Sequence, residues 1–209
     1  MARLMKDTRM LYPHRLAELM AARIFHDLGS PMASITAILP QATDPAAHAI
    51  LMETAAELRA RMKLFSAAFG SGDDLAWHEL GTLLLGAPMA HRVRFEVPQV
   101  AGMLAPGRVR LLLSAALLSA EALPRGGVVR IAQDQAGWVT FLPEGRDAAW
   151  SPTFLELMAD GAPEQALADG PRRVLAPWIL AQASAEGVEL SFALGVGAAL
   201  PPLRMTPAA

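Results

Sequence analysis

Cysteine is absent from the 209 residues, which rules out disulfides and thiolate metal sites. Charge is sparse and balanced. The 18 Lys+Arg and 20 Asp+Glu give a net charge of -2, and the basic residues are scattered, so nothing favours nucleic acid as a ligand. Long apolar runs are missing too. The most apolar stretch, Leu111 to Ala120, falls far short of the roughly 20 residues a bilayer crossing needs. Met1 to Tyr12 carries charges where a signal peptide needs an apolar run. A soluble, unprocessed, cytoplasmic protein with no membrane partner is expected. Metal-ligand spacing is lacking as well, because His14, His48, His78 and His91 lie scattered. Repeats and low-complexity tails are likewise missing. What is plentiful is apolar: 53% of the residues are hydrophobic, enough to bury a full core in one or two domains.

The first apolar-periodic segment runs from Leu11 to Leu39. Within it Ile24, Leu28, Pro31, Ile35 and Ile38 follow in steps of 4, 3, 4 and 3, a helical seam. His26 lies two residues past Ile24, roughly 200° around the helix, and is expected to face solvent. An exposed imidazole keeps one ring nitrogen with a free lone pair at neutral pH, a nucleophile for a phosphoryl group without a metal. Asp27 cannot share that face, yet its carboxylate can reach the ring edge, fix the tautomer and stabilise a developing imidazolium. Gly29 and Ser30 follow on the side of His26. Glycine in a helix costs about 1 kcal/mol, understandable if a partner's backbone approaches there. Pro31 removes a backbone donor and is expected to kink the helix just past the site.

A second helix is read from an N-cap at Thr43 or Asp44 with Pro45 at its first position. Leu51, Ala55, Leu58, Met62, Phe65 and Phe69 form its seam. Two helices with such seams leave apolar surface uncovered, so two copies are expected to pair into a four-helix bundle, an obligate homodimer. A boundary is expected near Gly70 to Asp74. Beyond it helices are read at 77–85, 109–123, 154–158 and 172–185. Strands are read at 92–97, 128–132, 138–142, 188–194 and 200–205, with turns at Pro124-Arg125-Gly126-Gly127, at 134–137 and at Gly195-Val196-Gly197. The expected fold class is α+β: an antiparallel helical hairpin over 1–72, then an α/β sandwich over 73–209 with helices on one face of a mainly antiparallel sheet.

The run His26-Asp27-Leu28-Gly29-Ser30-Pro31-Met32 resembles the phosphoacceptor box of two-component histidine kinases, H-[DE]-L-x-[STN]-P-h, though most kinases are basic where this chain has Gly29. The order of elements that follows is similar to their ATP-binding domain, and Leu111 to Gly127 resembles the helix and P-x-G-G turn of its asparagine box. Here the patterns part. Leu118 stands where such kinases place the asparagine that holds Mg²⁺, and the chain has no asparagine at all. Pro143-Glu144-Gly145-Arg146-Asp147 replaces the D-x-G-x-G adenine loop. A leucine offers hydrocarbon to a dication and a triphosphate, so ATP is not expected to bind productively. Gly126-Gly127 and Gly195-Val196-Gly197 are read as turns, not phosphate cradles.

A phosphoacceptor hairpin joined to an ATPase-like domain without its nucleotide boxes resembles the ChpT-type histidine phosphotransferases, most strongly at Ala21 to Met32 and Glu121 to Gly127. The resemblance implies a phosphorelay intermediate that carries phosphoryl groups between response-regulator receiver domains and makes none from ATP. It implies a hybrid-kinase receiver of the CckA type as donor, regulators of the CtrA and CpdR type as acceptors, and no cofactor of its own, Mg²⁺ being held by the partner receiver. His26 is the expected acceptor and Asp27 its companion. Arg23, Met20, Gly29 and Ser30 are expected to frame the docking surface, Arg23 neutralising phosphate charge and Ser30 bonding a phosphoryl oxygen or its own helix. A silent receiver-binding scaffold and an ATP-dependent kinase core are the alternatives.

Overall fold

The computed structural model describes residues 2–159, 161–193 and 200–207, with side chains from residue 12 onward; the Gly195-Val196-Gly197 turn and the end of the strand expected to reach Leu194 lie outside the described residues. Helix α1 (Ala2–Ile38) stays helical through Pro13 and Pro31. A 3₁₀ turn at Leu39–Gln41 reverses the chain into α2 (Pro45–Phe69). Asp44 caps α2: its carboxylate accepts the Ala47 N–H at 2.9 Å, and Pro45 takes the first position, where a missing donor costs nothing.

The remainder is one α+β unit. After β1 (Leu75–Ala76) and α3 (Trp77–Leu84) come β2 (Val93–Glu96), β3 (Met103–Leu104) and α4 (Pro106–Glu121). Strands β4 (Gly127–Gln133) and β5 (Val139–Glu144) form a hairpin, followed by α5 (Pro152–Met158), α6 (Pro163–Ala166), α7 (Leu175–Ala185), β6 (Val188–Phe192) and β7 (Leu203–Pro207). The five-stranded sheet has the order β2-β4-β5-β7-β6, with β2 and β4 parallel and every other pair antiparallel. Its inner face, Val129, Ile131, Val139, Phe141, Leu203 and Met205, is buried. Its outer face carries an ion ladder, Arg94–Glu96–Arg130–Glu144, with every contact 2.6 Å. The alternation is that of a half-solvated antiparallel sheet.

Helix α4 is apolar nearly all round and is buried accordingly: Leu111 to Ala120 are all enclosed between the sheet, α7, α3 and α2. That packing corrects the expectation for the hairpin. Part of the seam assigned to a second copy docks on this chain instead, Phe65 entering the common core and Phe69 meeting Phe65 at 5.5 Å and Trp178 at 6.0 Å between ring centroids. Leu64 and Ala68, outside the expected seam, are fully buried because α2 lies between α1 and α4 and needs two apolar faces. Helix α7 begins at Leu175 and not at Arg172: Gly170, at φ 75°, and Pro171 open a turn that occupies 171–174. The short elements β1, β3 and α6 carry too little periodicity to be read from sequence.

Candidate functional site

The groups around His26 come from α1, α2, α4, the 171–174 turn and the segment that leads into β2. The imidazole is 75% exposed, whereas Asp27, Arg23 and Glu121 are 12%, 16% and 14% exposed. His26 Nδ1 lies 3.1 Å from Asp27 Oδ1. An ionised carboxylate only accepts, so Nδ1 bears the proton and Nε2 keeps the lone pair, on the ring edge that faces away from Asp27. Asp27 Oδ2 accepts from Arg23 Nε at 2.7 Å, an i, i+4 pair on one helix face. Arg23 Nη2 pairs with Glu121 Oε1 at 2.8 Å, at the end of α4, and its Nη1 donates to the Arg172 carbonyl at 3.3 Å. Burial opposes the charge on Arg23, but Glu121 and Asp27 outweigh it and hold the guanidinium firmly protonated. Burial pushes the Glu121 carboxyl upward despite Arg23 and Arg173, and the like charge of Asp27 adds to the effect.

Pro31 explains a further contact. A proline has no N–H, so the carbonyl four residues earlier in the helix, that of Asp27, loses its partner. Arg61 of α2 supplies one: its Nη1 donates to the Asp27 carbonyl at 2.9 Å. The backbone beneath His26 is thus tied to the second helix of the hairpin.

His26 and Asp27 open on a cleft of about 480 Å³ between the hairpin and the α+β unit. Arg92, Arg172 and Arg173, all exposed, line it with Arg23 and Glu121. Arginine outnumbers carboxylate there, so the cleft suits an anion. Of the residues expected from sequence, the structure brings His26, Asp27 and Arg23 together. Gly29 and Ser30 are exposed about one turn on. A Cβ added at Gly29 meets nothing within 4 Å, so no contact inside the chain requires glycine there. Met20 cannot frame a docking surface, because it is buried in the core with Leu16 and Leu19. Arg23 is corrected as well: it is mostly enclosed and all three nitrogens are committed to partners, so it holds Asp27 and is no free surface cation. Sequence reasoning missed Glu121, Arg61, Arg92, Arg172 and Arg173. Only Glu121 left a trace, at the head of the Glu121 to Gly127 stretch.

Among the described residues no cluster of three or more His, Asp or Glu is placed to hold a metal ion. Leu118 is buried in the core. The Gly126–Gly127 turn, at φ 82° and 144°, spends its N–H groups on the Leu123 and Arg92 carbonyls, both at 3.0 Å, to launch β4 beside β2. A Cβ at Gly127 would sit 2.2 Å from the Glu144 carbonyl oxygen. Asp147 is used by Arg125 at 2.6 Å.

No curated protein matches the sequence. A solved structure described as a bacterial phosphotransferase superposes with a TM-score of 0.70 over 91% of this chain and 94% of its own, at 24% identity, which establishes the shared fold. Residues 84–196, more than half of the chain, match the family model for the histidine phosphotransferase C-terminal domain, and the chain belongs to that family.

Proposed function

We propose that the protein is a phosphorelay intermediate of the ChpT type, in which His26 takes a phosphoryl group from the phospho-aspartate of one receiver domain and yields it to the aspartate of another. The observation that carries this reading is the geometry at His26: Nδ1 held by Asp27, Nε2 free, and the ring at the mouth of an arginine-lined cleft. Nε2 attacks phosphorus and forms the N–P bond. The P–O bond to the receiver's aspartate breaks with its electron pair, restoring that carboxylate. The Nδ1 proton stays on the ring, and Asp27 faces the resulting imidazolium. Transfer to the second receiver reverses these steps. Positioning and charge neutralisation supply most of the rate, as in other phosphoryl transfers, with Mg²⁺ brought by the receiver.

Two further parts belong to the same reading. The α+β unit is a degenerate ATPase-like domain that does not feed His26 from ATP: Leu118, at the position where kinases hold Mg²⁺, is sealed in the core and offers no oxygen. The protein is a homodimer. Ala21, Phe25, Leu28, Met32 and Ile35 of α1 and Leu39 just past its end follow in steps of 4, 3, 4, 3 and 4; Phe25, Met32 and Leu39 are exposed, as are Met62 and Ala55 of α2. Such a stripe is the seam of a bundle awaiting its second half. Receivers of the CckA, CtrA and CpdR types are the partners this assignment implies.

The experiment is a transfer assay with a panel of receivers carrying labelled phospho-aspartate. Label should move to the protein and remain acid-labile, and His26→Ala should take up none. Transfer that survives in His26→Ala, or label arriving from Mg-ATP alone, would refute the proposal; binding of receivers without any transfer would favour a scaffold.

A further inference from the structure

We propose that Glu121, on α4 of the α+β unit, is a positioning residue for His26, acting through Arg23 and Asp27; this rests on the reading of His26 as the phosphoacceptor. A guanidinium beside a lone carboxylate tends to take both of its oxygens in a bidentate pair. Arg23 does not. Its Nε reaches one oxygen of Asp27 at 2.7 Å, its Nη2 is occupied by Glu121 at 2.8 Å, and its Nη1 by the Arg172 carbonyl at 3.3 Å. With its fork divided among three partners, Arg23 leaves Asp27 Oδ1 to His26 Nδ1 at 3.1 Å.

Charge leads to the same conclusion. Arg23 with Asp27 alone would be a neutral pair, of little use to an imidazolium. In its ionised form Glu121 adds a second carboxylate beside Arg23, and the trio then carries one net negative charge at the ring. All three side chains are mostly shielded from solvent, where such a difference is felt more strongly than at an exposed site. The α+β unit therefore sets the tautomer of a histidine on the hairpin. Removing Glu121 frees Nη2 to compete for Oδ1, the ring loses its tether, and either nitrogen becomes available for attack.

The test uses full-length protein and phosphoramidate, a small donor that needs no receiver docking. Nε2 attacks phosphorus, the P–N bond of the donor breaks, and ammonia departs with the electron pair. ¹⁵N spectra report the ring tautomer, and ³¹P spectra report which nitrogen is phosphorylated. Wild-type protein should show the Nδ1–H tautomer and phosphorylation at Nε2 alone. Glu121→Gln should show mixed tautomers, product divided between the two nitrogens, and loading slowed about tenfold, the kinetic equivalent of one hydrogen bond. Arg23→Gln added to Glu121→Gln removes the competitor and should restore Nε2 selectivity, a rescue no merely structural role predicts. An Nε2–H tautomer in the wild type, unchanged selectivity in Glu121→Gln, or no rescue in the double variant would each overturn the proposal. Wild-type protein that takes no phosphoryl group at His26 from any phosphorylated receiver sinks the phosphorelay reading instead, and the tautomer measurements stand apart from that outcome.

Discussion

Pro31 and Arg61 act on one atom, the Asp27 carbonyl, and so their energetics are coupled. Arg61→Met should strand that carbonyl and cost about 1–3 kcal/mol in urea denaturation, the usual penalty for an unpaired, partly buried acceptor. Pro31→Ala supplies the missing helical N–H. The double variant should therefore lose less than the sum of the singles, by about 1 kcal/mol; strict additivity would show that Arg61 does not answer the proline. Glu121 gives a prediction of opposite sign. Its carboxyl is raised by burial above the ordinary 4.5, so between those two values the folded state binds more protons than the unfolded one, and stability falls as pH rises through that window. Ionised Glu121 is thus a cost to folding at neutral pH. Glu121→Gln should melt no lower than wild type at pH 7, with the gap closing as pH falls toward 4.5. A large drop in melting temperature at pH 7 would mean that Glu121 holds the fold and not the site.

Among the elements, the hairpin was the most legible part. The 3.6-residue period, the Asp44–Pro45 start and the Gly70 stop are local signals, and the structure has α2 at Pro45–Phe69. Local signals also carry the β4–β5 hairpin, whose turn at Asp134 closes with Ala136 and Trp138 N–H groups on its carboxylate at 2.9 and 3.0 Å. What periodicity cannot state is which neighbour a face meets. Leu64 and Ala68 are fully buried in the common core, and Met62 and Ala55 of the expected seam remain on the surface. The site divides the same way. His26 with Asp27 is a contact between adjacent residues, whereas Glu121 with Arg23 and Arg61 with the Asp27 carbonyl join elements far apart in sequence, and no spacing rule reaches them. The exposed α1 stripe yields a prediction at this scale. Met32→Glu with Leu39→Glu places charges in the proposed bundle seam, under two turns and about three and a half turns beyond His26, where each lost apolar side chain is worth about 1.5–3 kcal/mol. Light scattering should find the double variant monomeric and wild type dimeric; an unchanged mass would place the dimer contact elsewhere.

At the scale of the whole molecule, the sequence boundary near residue 72 is not a boundary of the core. Leu16, Leu19 and Met20 of α1 and Leu64, Phe65 and Ala68 of α2 belong to the same buried cluster as α4, α7 and the sheet. The cleft beside His26 exists only because these two parts are seated on each other, with Arg23–Glu121 crossing at its wall. A hairpin that folded independently would need to leave those six side chains in water. Cooperative unfolding is expected instead, the hairpin and the α+β unit melting together. Leu64→Ala tests this directly, since Leu64 is fully enclosed between α2 and its neighbours. The truncation should cost about 2–5 kcal/mol, the transfer term plus a cavity. Hydrogen exchange on Leu64→Ala should show protection lost together in α1, α2, α4 and the central strands. Protection lost in the hairpin alone, with α4 and the sheet unaffected, would mean that the hairpin is a separate folding unit and that the geometry at His26 is assembled after folding by docking of two independent domains.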